Sequence, residues 1–304
     1  MVKLIGVAKN GQYEDSLPLG LGVVLAILAA LLVCALALAP RAAAHIYWSN
    51  STTGNIGRAN HNGTGVNKSF IKGAVSPLGI AVDARHVYWA SSITDTIGRA
   101  KLNGTGVKKD FVSIPDPFSP YAVAVDAGHI YWPTGGTFIG RARINGTGTQ
   151  PKFITTSPIG NTSGVAVNAR HVYWTTNVEE VFNPGKIDTI GRANPDGTGV
   201  KGSFISSRHS GPYAVAVHSR YIYWTNEVTN TIARANLDGT GLHRKFITTG
   251  GGSPRGIAVD GRHIYWTNVS PDPNFRGTIG RANLNGTHVH RSFITTGGEP
   301  WGVA

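Results

Sequence analysis

The side chains that could do chemistry recur at a fixed interval along this chain. Five histidines stand directly before an Ile/Val-Tyr-Trp triplet: His45, His86, His129, His171 and His263. A second set ends the short apolar run ahead of each triplet: Asp83, Asp126, Asn168, His218 and Asp260. Metal ligands must converge within a few ångströms, whereas these residues belong to separate repeats. We therefore expect them to cap turns through the backbone, with a cation-binding ring as the alternative.

Six arginines share another repeated position, in the pattern Ile-Gly/Ala-Arg-Ala: Arg58, Arg99, Arg141, Arg192, Arg234 and Arg281. One interpretation is a ring of anion-binding arginines. We favour packing, in which each guanidinium lies along an aromatic ring or bonds backbone carbonyls between repeats, because six identical positions indicate symmetry. The Gly and Ala that flank each arginine face the other side of the strand, where we expect them to let the next repeat approach closely.

Signatures of enzymes are absent from the sequence. It has no Gly-x-Ser-x-Gly elbow, phosphate-binding loop or His-Glu-x-x-His motif. The one cysteine, Cys34, lies in an apolar N-terminal run, so the rest of the chain can form no disulfide, thiol nucleophile or Cys-bound zinc site. We predict no catalytic residue, no bound metal and no cofactor.

The elements that carry these residues follow from the repeat. The triplet Ile/Val-Tyr-Trp ends at six tryptophans: Trp48, Trp89, Trp132, Trp174, Trp224 and Trp266. A period of roughly forty residues means that each unit buries its apolar face only against its neighbours. In the last complete unit the pattern predicts four strands, at 256–260, 263–267, 278–284 and 292–295. Four short antiparallel strands per unit are typical of a β-propeller blade.

An Asn-Gly or Asp-Gly pair separates the third and fourth strands of each unit. Asn285-Gly286 is typical of a tight hairpin in which both central residues have positive φ. Four copies also match the N-glycosylation acceptor, beginning at Asn62, Asn103, Asn145 and Asn285. Asp196-Gly197 and Asp238-Gly239 occupy the same place in the other copies. Turn geometry explains all six pairs, so we interpret the acceptors as incidental.

The two ends of the repeat region complete each other. The first unit begins at His45 and lacks its innermost strand, and residues 300–304 match that strand in residues 77–81. We therefore predict an all-β, six-bladed β-propeller of four-stranded antiparallel blades, closed by pairing of its N- and C-terminal strands. Closure removes the open sheet edge that would invite aggregation. A fragment cut within a repeat is the alternative.

The recurrent motifs resemble those of a known family. Ile/Val-Tyr-Trp-Thr-Asn, followed by Thr-Ile-Gly-Arg-Ala-Asn-Leu-Asp/Asn-Gly-Thr, looks like the YWTD repeat of the low-density-lipoprotein receptor family over residues 45–304. The resemblance implies a six-bladed propeller and favours a non-enzymatic extracellular binding protein. The chain departs from the family's Asp at Asn50, Asn226 and Asn268, and no cysteine-rich modules accompany the repeats.

Residues 1–44 differ in composition from the repeats. The run 17–39 is almost wholly apolar, two lysines precede it, and three alanines stand before His45. This pattern indicates a secretory signal cleaved near residue 44, or an uncleaved anchor, since the run could span a bilayer. We expect residues 45–304 to form the propeller, secreted or on the extracellular face of the membrane. Membrane contact is expected only through residues 17–39, if they are uncleaved.

Function in a repeat array lies where the copies differ. The span from the triplet's Trp to the next strand's Ile is 7 or 8 residues in four units, but 16 after Trp174 and 13 after Trp266. Both insertions lie on the face that also receives the loops before each first strand. The candidate ligand-binding residues of this face are Phe182, Phe275, Glu179, Glu180, Lys186, Arg276, Tyr121, Tyr213, Arg255 and Trp301. Aromatics with arginine are typical of protein and glycan contacts, although the same rings could plug the channel mouth.

Two classes of function follow. We predict a monomeric, non-enzymatic extracellular or cell-envelope propeller that recognises a protein or glycan ligand, acidic ligands included, since the formal net charge is +12. Nucleic acid is not an expected partner, because the arginines are spread once per repeat. The alternative is a propeller lyase or lactonase-like hydrolase with a metal or His site at the channel mouth. His209 and His218, with Glu179 or Glu180, could form such a site.

Overall fold

The computed structural model describes residues 45–156, 160–178, 185, 187–250, 252–269 and 277–304. These residues form 24 β-strands in six four-stranded antiparallel sheets. The prediction of an all-β chain with six four-stranded blades is therefore confirmed. Residues 1–44, with the expected signal or anchor, lie outside the described part of the chain. No helix within that part is long and apolar enough to cross a membrane.

Each blade has an inner, a second, a third and an outer strand, hydrogen-bonded in that order from the channel to the rim. Blade 1 consists of β24 (Pro300–Val303), β1 (His45–Asn50), β2 (Asn55–Asn60) and β3 (Asn67–Lys72). Blade 2 consists of β4 (Pro77–Val82), β5 (His86–Ser91), β6 (Thr96–Lys101) and β7 (Lys108–Ser113). Blade 3 consists of β8 (Ala124–Val125), β9 (His129–Pro133), β10 (Phe138–Arg143) and β11 (Gln150–Thr155). Blade 4 consists of β12 (Asn161–Val167), β13 (Val172–Asn177), β14 (Thr189–Ala193) and β15 (Lys201–Ser206). Blade 5 consists of β16 (Pro212–His218), β17 (Tyr221–Asn226), β18 (Thr231–Asn236) and β19 (His243–Thr248). Blade 6 consists of β20 (Ser253–Val259), β21 (His263–Val269), β22 (Thr278–Asn283) and β23 (His290–Thr295).

The ring closes through the last strand. The inner strands are neighbours around the channel in the order β4, β8, β12, β16, β20, β24 and again β4. Strand β24 pairs antiparallel with β1, with Trp48 opposite Val303 and Asn50 opposite Pro300. The predicted pairing of the terminal strands is therefore confirmed.

The blade core is built on an aromatic residue that lies over a glycine. Trp132 is fully buried and stands directly opposite Gly140 on the third strand. A Cβ added to Gly140 would overlap the Trp132 indole, and the glycines of four other blades have the same relation to their tryptophans. The expectation that these glycines admit the next blade is therefore wrong, because the space belongs to an indole of the same blade. Blade 5 differs, since Ala233 stands opposite Trp224.

The repeated arginines are packing residues. Each places its guanidinium carbon 3.7–4.1 Å from the centroid of a phenylalanine ring on the outer strand of its own blade. Three of them also reach a carbonyl of the following blade, as where Arg192 Nη1 donates to Leu237 O over 3.1 Å. The packing interpretation is confirmed, and an anion-binding ring of these six arginines is not formed.

The repeated carboxylates cap the turns between inner and second strands. Asp83 Oδ1 accepts hydrogen bonds from the backbone N–H groups of Arg85 and His86, over 2.7 and 2.6 Å. Its Oδ2 accepts the hydroxyl of Tyr88, over 2.9 Å, a contact that the sequence did not indicate. Burial opposes ionisation of Asp83, but these hydrogen bonds outweigh it and lower the pKa of the carboxyl. Burial and the bond to Asp83 raise the pKa of Tyr88 to about 12.

The hairpin between third and outer strands is not the predicted two-residue turn. Gly286 N–H donates to Asn283 O and Asn283 N–H donates to Thr287 O, both over 2.9 Å, so the loop has three residues. Of Asn285 and Gly286 only Gly286 has positive φ, at 83°. This is the type I turn followed by a left-handed glycine. In this turn Asn285 Oδ1 also accepts hydrogen bonds from the N–H and hydroxyl of Thr287, which stabilise it.

Asn103→Asp is expected to leave thermal stability nearly unchanged at pH 7. Asp238 already accepts the hydroxyl and N–H of Thr240 at the same place in blade 5, over 2.7 and 2.9 Å. Those bonds lower the pKa of Asp238. An Asp carboxyl whose pKa is lower in the folded state than in the unfolded chain, where it is about 3.9, stabilises the folded state above that pH. This stabilisation is lost as the pH falls through the pKa of the folded state. The variant should therefore lose stability relative to the parent chain only below about pH 4.

Thermal unfolding at pH 7 and pH 3 checks this expectation. Asn103→Ala is the control, since it removes both bonds to Thr105 at every pH. Equal destabilisation by Asn103→Asp and Asn103→Ala at pH 7 would contradict the turn assignment.

Candidate functional site

The inner strands present one variable position at the channel mouth. It directly precedes the Gly or Ala of each strand and is occupied by Leu78, Tyr121, Ser163, Tyr213, Arg255 and Trp301. The residues around it are repeated, with Pro or Thr before it and Gly/Ala-Ile/Val after it. Repeated surroundings hold a fixed backbone position while the side chain varies, as expected for a recognition site in a repeat array.

These six positions form a ring around the mouth, and hydroxyls on the second strands donate to the backbone carbonyls of four of them: Leu78, Tyr213, Arg255 and Trp301. In blade 5, Thr225 Oγ1 accepts the Ala214 N–H of its own inner strand over 3.0 Å and donates to Arg255 O of the next blade over 2.6 Å. Thr267 makes the same pair of bonds to Gly256 and to Trp301. Equivalent bridges run from Ser49 and Thr175. The threonine of the Tyr-Trp-Thr motif thus locks neighbouring inner strands together and positions the side chains above.

Arg255 is the centre of the mouth. Its guanidinium carbon lies 3.8 Å from the Trp301 ring centroid and 5.1 Å from that of Tyr213. Nη2 donates to Glu227 Oε1 over 2.9 Å, which forms a half-buried ion pair. The rings of Tyr213 and Trp301 meet edge to face at 5.9 Å. The guanidinium is therefore held flat between aromatic faces and a carboxylate, an arrangement typical of a preorganised contact residue.

The mouth opens into a cavity above a narrow channel. The cavity has a volume of about 320 Å³ and adds Tyr121, Asn161 and Asn177 to the aromatic cluster. The channel beneath, lined mainly by the small and aliphatic residues of the inner strands, has about 50 Å³. A cavity needs about 10–15 Å³ to hold one water, so this channel has room for a few water molecules. The cavity at the mouth is therefore the space in which a larger ligand could make contacts.

Polar groups of the mouth are available as hydrogen-bond donors. Burial raises the pKa of the Tyr213 phenol well above its usual range, so the hydroxyl stays protonated. Arg255 Nε and Trp301 Nε1 are buried and have no hydrogen-bond partner within the described part of the chain. Buried donors without partners favour a ligand or ordered water that offers acceptors.

Four of the predicted site residues come together here. Tyr121, Tyr213, Arg255 and Trp301 line one cavity, and the three aromatic residues also line the top of the channel. The other six lie outside the described residues: Glu179, Glu180, Phe182, Lys186, Phe275 and Arg276. Sequence reasoning missed Glu227, which nothing in the Asn-Glu-Val segment marks as the partner of an arginine 28 residues away. Aligning the repeats on Leu78 would have found the whole ring.

Among the residues that the structure describes, the two most exposed large aliphatic side chains also lie on this face. Ile93 and Val228 are 71% and 69% exposed, each in the loop between second and third strands of its blade. Single exposed aliphatics are common, but two on the face of the mouth add to the apolar surface offered to a partner.

The histidines proposed for an enzymatic site do not meet. His209 precedes β16 at the mouth end, whereas His218 is the last residue of that strand and lies at the opposite end. A strand of seven residues spans roughly 20 Å, which is far beyond the reach of two ligands for one ion. No group of three His, Cys, Asp or Glu side chains that could hold a metal ion occurs among residues that the structure describes.

Comparison with known proteins agrees with the fold. The family described as low-density lipoprotein receptor repeat class B matches residues 220–260. This repeat begins at the turn before β17 and ends after β20, so it covers three strands of blade 5 and the inner strand of blade 6. The resemblance to the YWTD family is thereby confirmed.

Solved structures that match this propeller are distant from it in sequence. A "Crystal structure of Nidogen/Laminin Complex" is 19% identical over 85% of this chain and 97% of that chain, with a TM-score of 0.65. "The structure of putative TolB from Agrobacterium tumefaciens" is 12% identical over 81% and 87%, with a TM-score of 0.53. A streptogramin B lyase structure is 18% identical over 70% and 81%, at a TM-score of only 0.48. None of the curated proteins matches the sequence. These likenesses concern the fold alone.

Proposed function

We propose that this protein is a non-enzymatic extracellular binding propeller that captures a protein partner at its channel mouth. The observation that carries the proposal is the variable ring of Tyr121, Tyr213, Arg255 and Trp301 on a backbone that is otherwise repeated. Tyr, Trp and Arg are the residues most enriched at energetically dominant positions of protein interfaces. A glycan ligand at the same mouth is the narrower alternative.

The chemistry of the mouth supports a folded or peptide partner more than a small substrate. Its aromatic rings, its amides and the Arg255–Glu227 pair surround an open cavity, and Ile93 and Val228 extend the apolar surface sideways. The nidogen structure of similar fold is a complex with laminin, which gives a precedent for a protein partner on such a propeller. The insertions with Phe182 and Phe275 would enlarge the same contact surface.

An extracellular location belongs to this proposal. The apolar run 17–39 with the alanines before His45 supports export, with residues 1–44 as signal peptide or anchor and 45–304 as the propeller. Class B repeats in the receptor family support the same location. A monomer suffices for this function, because the ring is already closed.

Tyr121→Ala with Trp301→Ala is expected to weaken partner binding by at least about tenfold, since truncation of each central aromatic typically costs more than about 1 kcal/mol and about 1.4 kcal/mol is a factor of ten. The measurement captures partners from an extracellular extract with the wild-type propeller, purifies the captured protein and compares its Kd for both chains. The melting temperature should change little, because Tyr121 is already 39% exposed.

Val66→Ala with Val200→Ala is the matched control. Both valines are about two-fifths exposed and follow hairpins on the opposite face. The proposal fails if this control weakens binding as much as the mouth variant, or if the mouth variant folds normally and binds its partner unchanged.

A further inference from the structure

The outer strands of the propeller carry basic residues unevenly. The six outer strands contain nine lysines and arginines and a single carboxylate, Asp110. Seven of the nine belong to four consecutive blades, in the order 5, 6, 1 and 2; we name this set the rim arc: Arg244, Lys245, Arg291, Lys68, Lys72, Lys108 and Lys109. Blades 3 and 4 have only Lys152 and Lys201. Blades 5, 1 and 2 carry two of these cations each, and blade 6, which lies between blades 5 and 1, carries Arg291. Packing symmetry does not explain the difference between blades, because all six share one fold.

The rim arc is continuous across the seams between blades. Lys68, near the start of β3, lies against Gly297, just past the end of β23. Its Cδ is 2.8 Å from the position that a Cβ would occupy if Gly297 had one. Lys109, near the start of β7, has its Nζ 2.8 Å from the place of a Cβ on Gly73, just past the end of β3. Arg291 of β23 likewise lies against Gly250, beyond the end of β19. The outer strands therefore run head to tail around the rim, with a cation over each of these three seams.

The charges of the rim arc are accessible. All seven side chains are exposed, unlike the six repeated arginines, whose guanidiniums are stacked on phenylalanine rings. Arg244 adds a contact of the same kind across the next seam, where Nη2 reaches Ser206 O over 3.4 Å. Lysine and arginine on edge strands also discourage pairing between sheets, but that role requires no concentration in four blades.

We propose that the rim arc binds a linear acidic polysaccharide along the circumference of the propeller. A chain of sulfate or carboxylate groups can follow a curved track of cations, whereas a flat anionic membrane can touch only one sector of it. Nucleic acid is the poorer fit, because single strands bind by stacking on exposed aromatic rings and the outer-strand phenylalanines are covered by arginine. This surface is separate from the mouth, so the inference does not depend on the proposed function.

The test measures the Kd of a size-defined heparin fragment over a series of salt concentrations. The seam variant carries Lys68→Gln, Lys109→Gln and Arg291→Gln. The matched control carries Lys101→Gln, Arg143→Gln and Arg262→Gln, which remove the same charge from exposed positions at the turns opposite the mouth. Near 0.15 M salt the seam variant should bind at least about tenfold more weakly, since three cations that contact the anionic chain are lost and each acts within about 8 Å at this salt concentration.

Each result decides the proposal. The expected outcome is that the seam variant binds the heparin fragment weakly and in a salt-dependent way. The control should bind it nearly as tightly as the wild type does, and Trp301→Ala should leave the affinity for heparin unchanged. Equal losses of affinity in both triple variants would overturn the proposal and indicate unspecific attraction by net charge. Absence of heparin binding by the wild type would also overturn it. Single-stranded DNA of matched charge and phosphatidylglycerol vesicles complete the test. Tighter binding of either one than of heparin would overturn the polysaccharide assignment. Equal melting temperatures of the variants exclude a folding effect.

Discussion

Deletion of residues 299–304 is expected to lower the thermal stability of the propeller sharply. The deletion removes strand β24, the only inner strand of blade 1. Tyr47 and Ala304 exchange two backbone hydrogen bonds, over 2.8 and 2.9 Å, and Gly302 N–H donates to Ser49 Oγ over 2.8 Å. Val303 is only 4% exposed and packs in the core cluster of Trp48. Three hydrogen bonds at about 1 kcal/mol each and a buried valine at about 2 kcal/mol amount to roughly 5 kcal/mol.

That loss approaches the whole stability of many domains, about 5–15 kcal/mol. It also exposes β1 as an open edge, which favours aggregation. Circular dichroism during heating, together with size-exclusion chromatography, measures both effects. Trp301→Ala is the control, because it keeps the backbone of β24 and removes only a side chain at the mouth. A truncated chain that melts cooperatively at the wild-type temperature would show that closure contributes little.

Gly140→Ala is expected to lower the free energy of unfolding by about 2–3 kcal/mol, the upper range for overpacking a core. The new methyl group would overlap the Trp132 indole, which is fully buried and cannot move into solvent. The reciprocal change Ala233→Gly in blade 5 should cost less than about 1 kcal/mol, the backbone entropy of one glycine. Blade 5 has accommodated its alanine, and there Trp224 Nε1 donates to Ser207 Oγ over 3.1 Å.

Denaturant unfolding of Gly140→Ala, Trp132→Phe and the double variant forms a thermodynamic cycle. The smaller ring should relieve the overlap, so the double variant should be more stable than the sum of the single effects allows. Strict additivity of the two losses would mean that Gly140 is required for its backbone conformation and not for the space it leaves.

Much of the fold could be predicted because the repeat supplies the same information six times. The Arg281 position illustrates this, since only a packing role is compatible with six copies around an axis. The hairpin at Asn285-Gly286 was misjudged, because two turns suit the same dipeptide and the hydrogen bond from the Thr287 hydroxyl stabilises the longer one. Gly140 was misread for a related reason. A glycine pattern reveals that a close approach occurs, but not which group approaches.

The sequence by itself determined the period, the six blades, the strand that closes the ring and four of the residues at the mouth. These properties depend on local alternation and on the count of the copies, which the chain carries explicitly. The tertiary structure decided which side chains meet. Tyr213 and Trp301 are 88 residues apart and Arg255 and Glu227 are 28 apart, yet they share one cavity. The closed ring brings together the starts of the inner strands and the end of β17, which Glu227 follows. The continuity of the rim arc likewise appears only when outer strands follow one another around the rim, a relation that strand pairing within a blade does not specify.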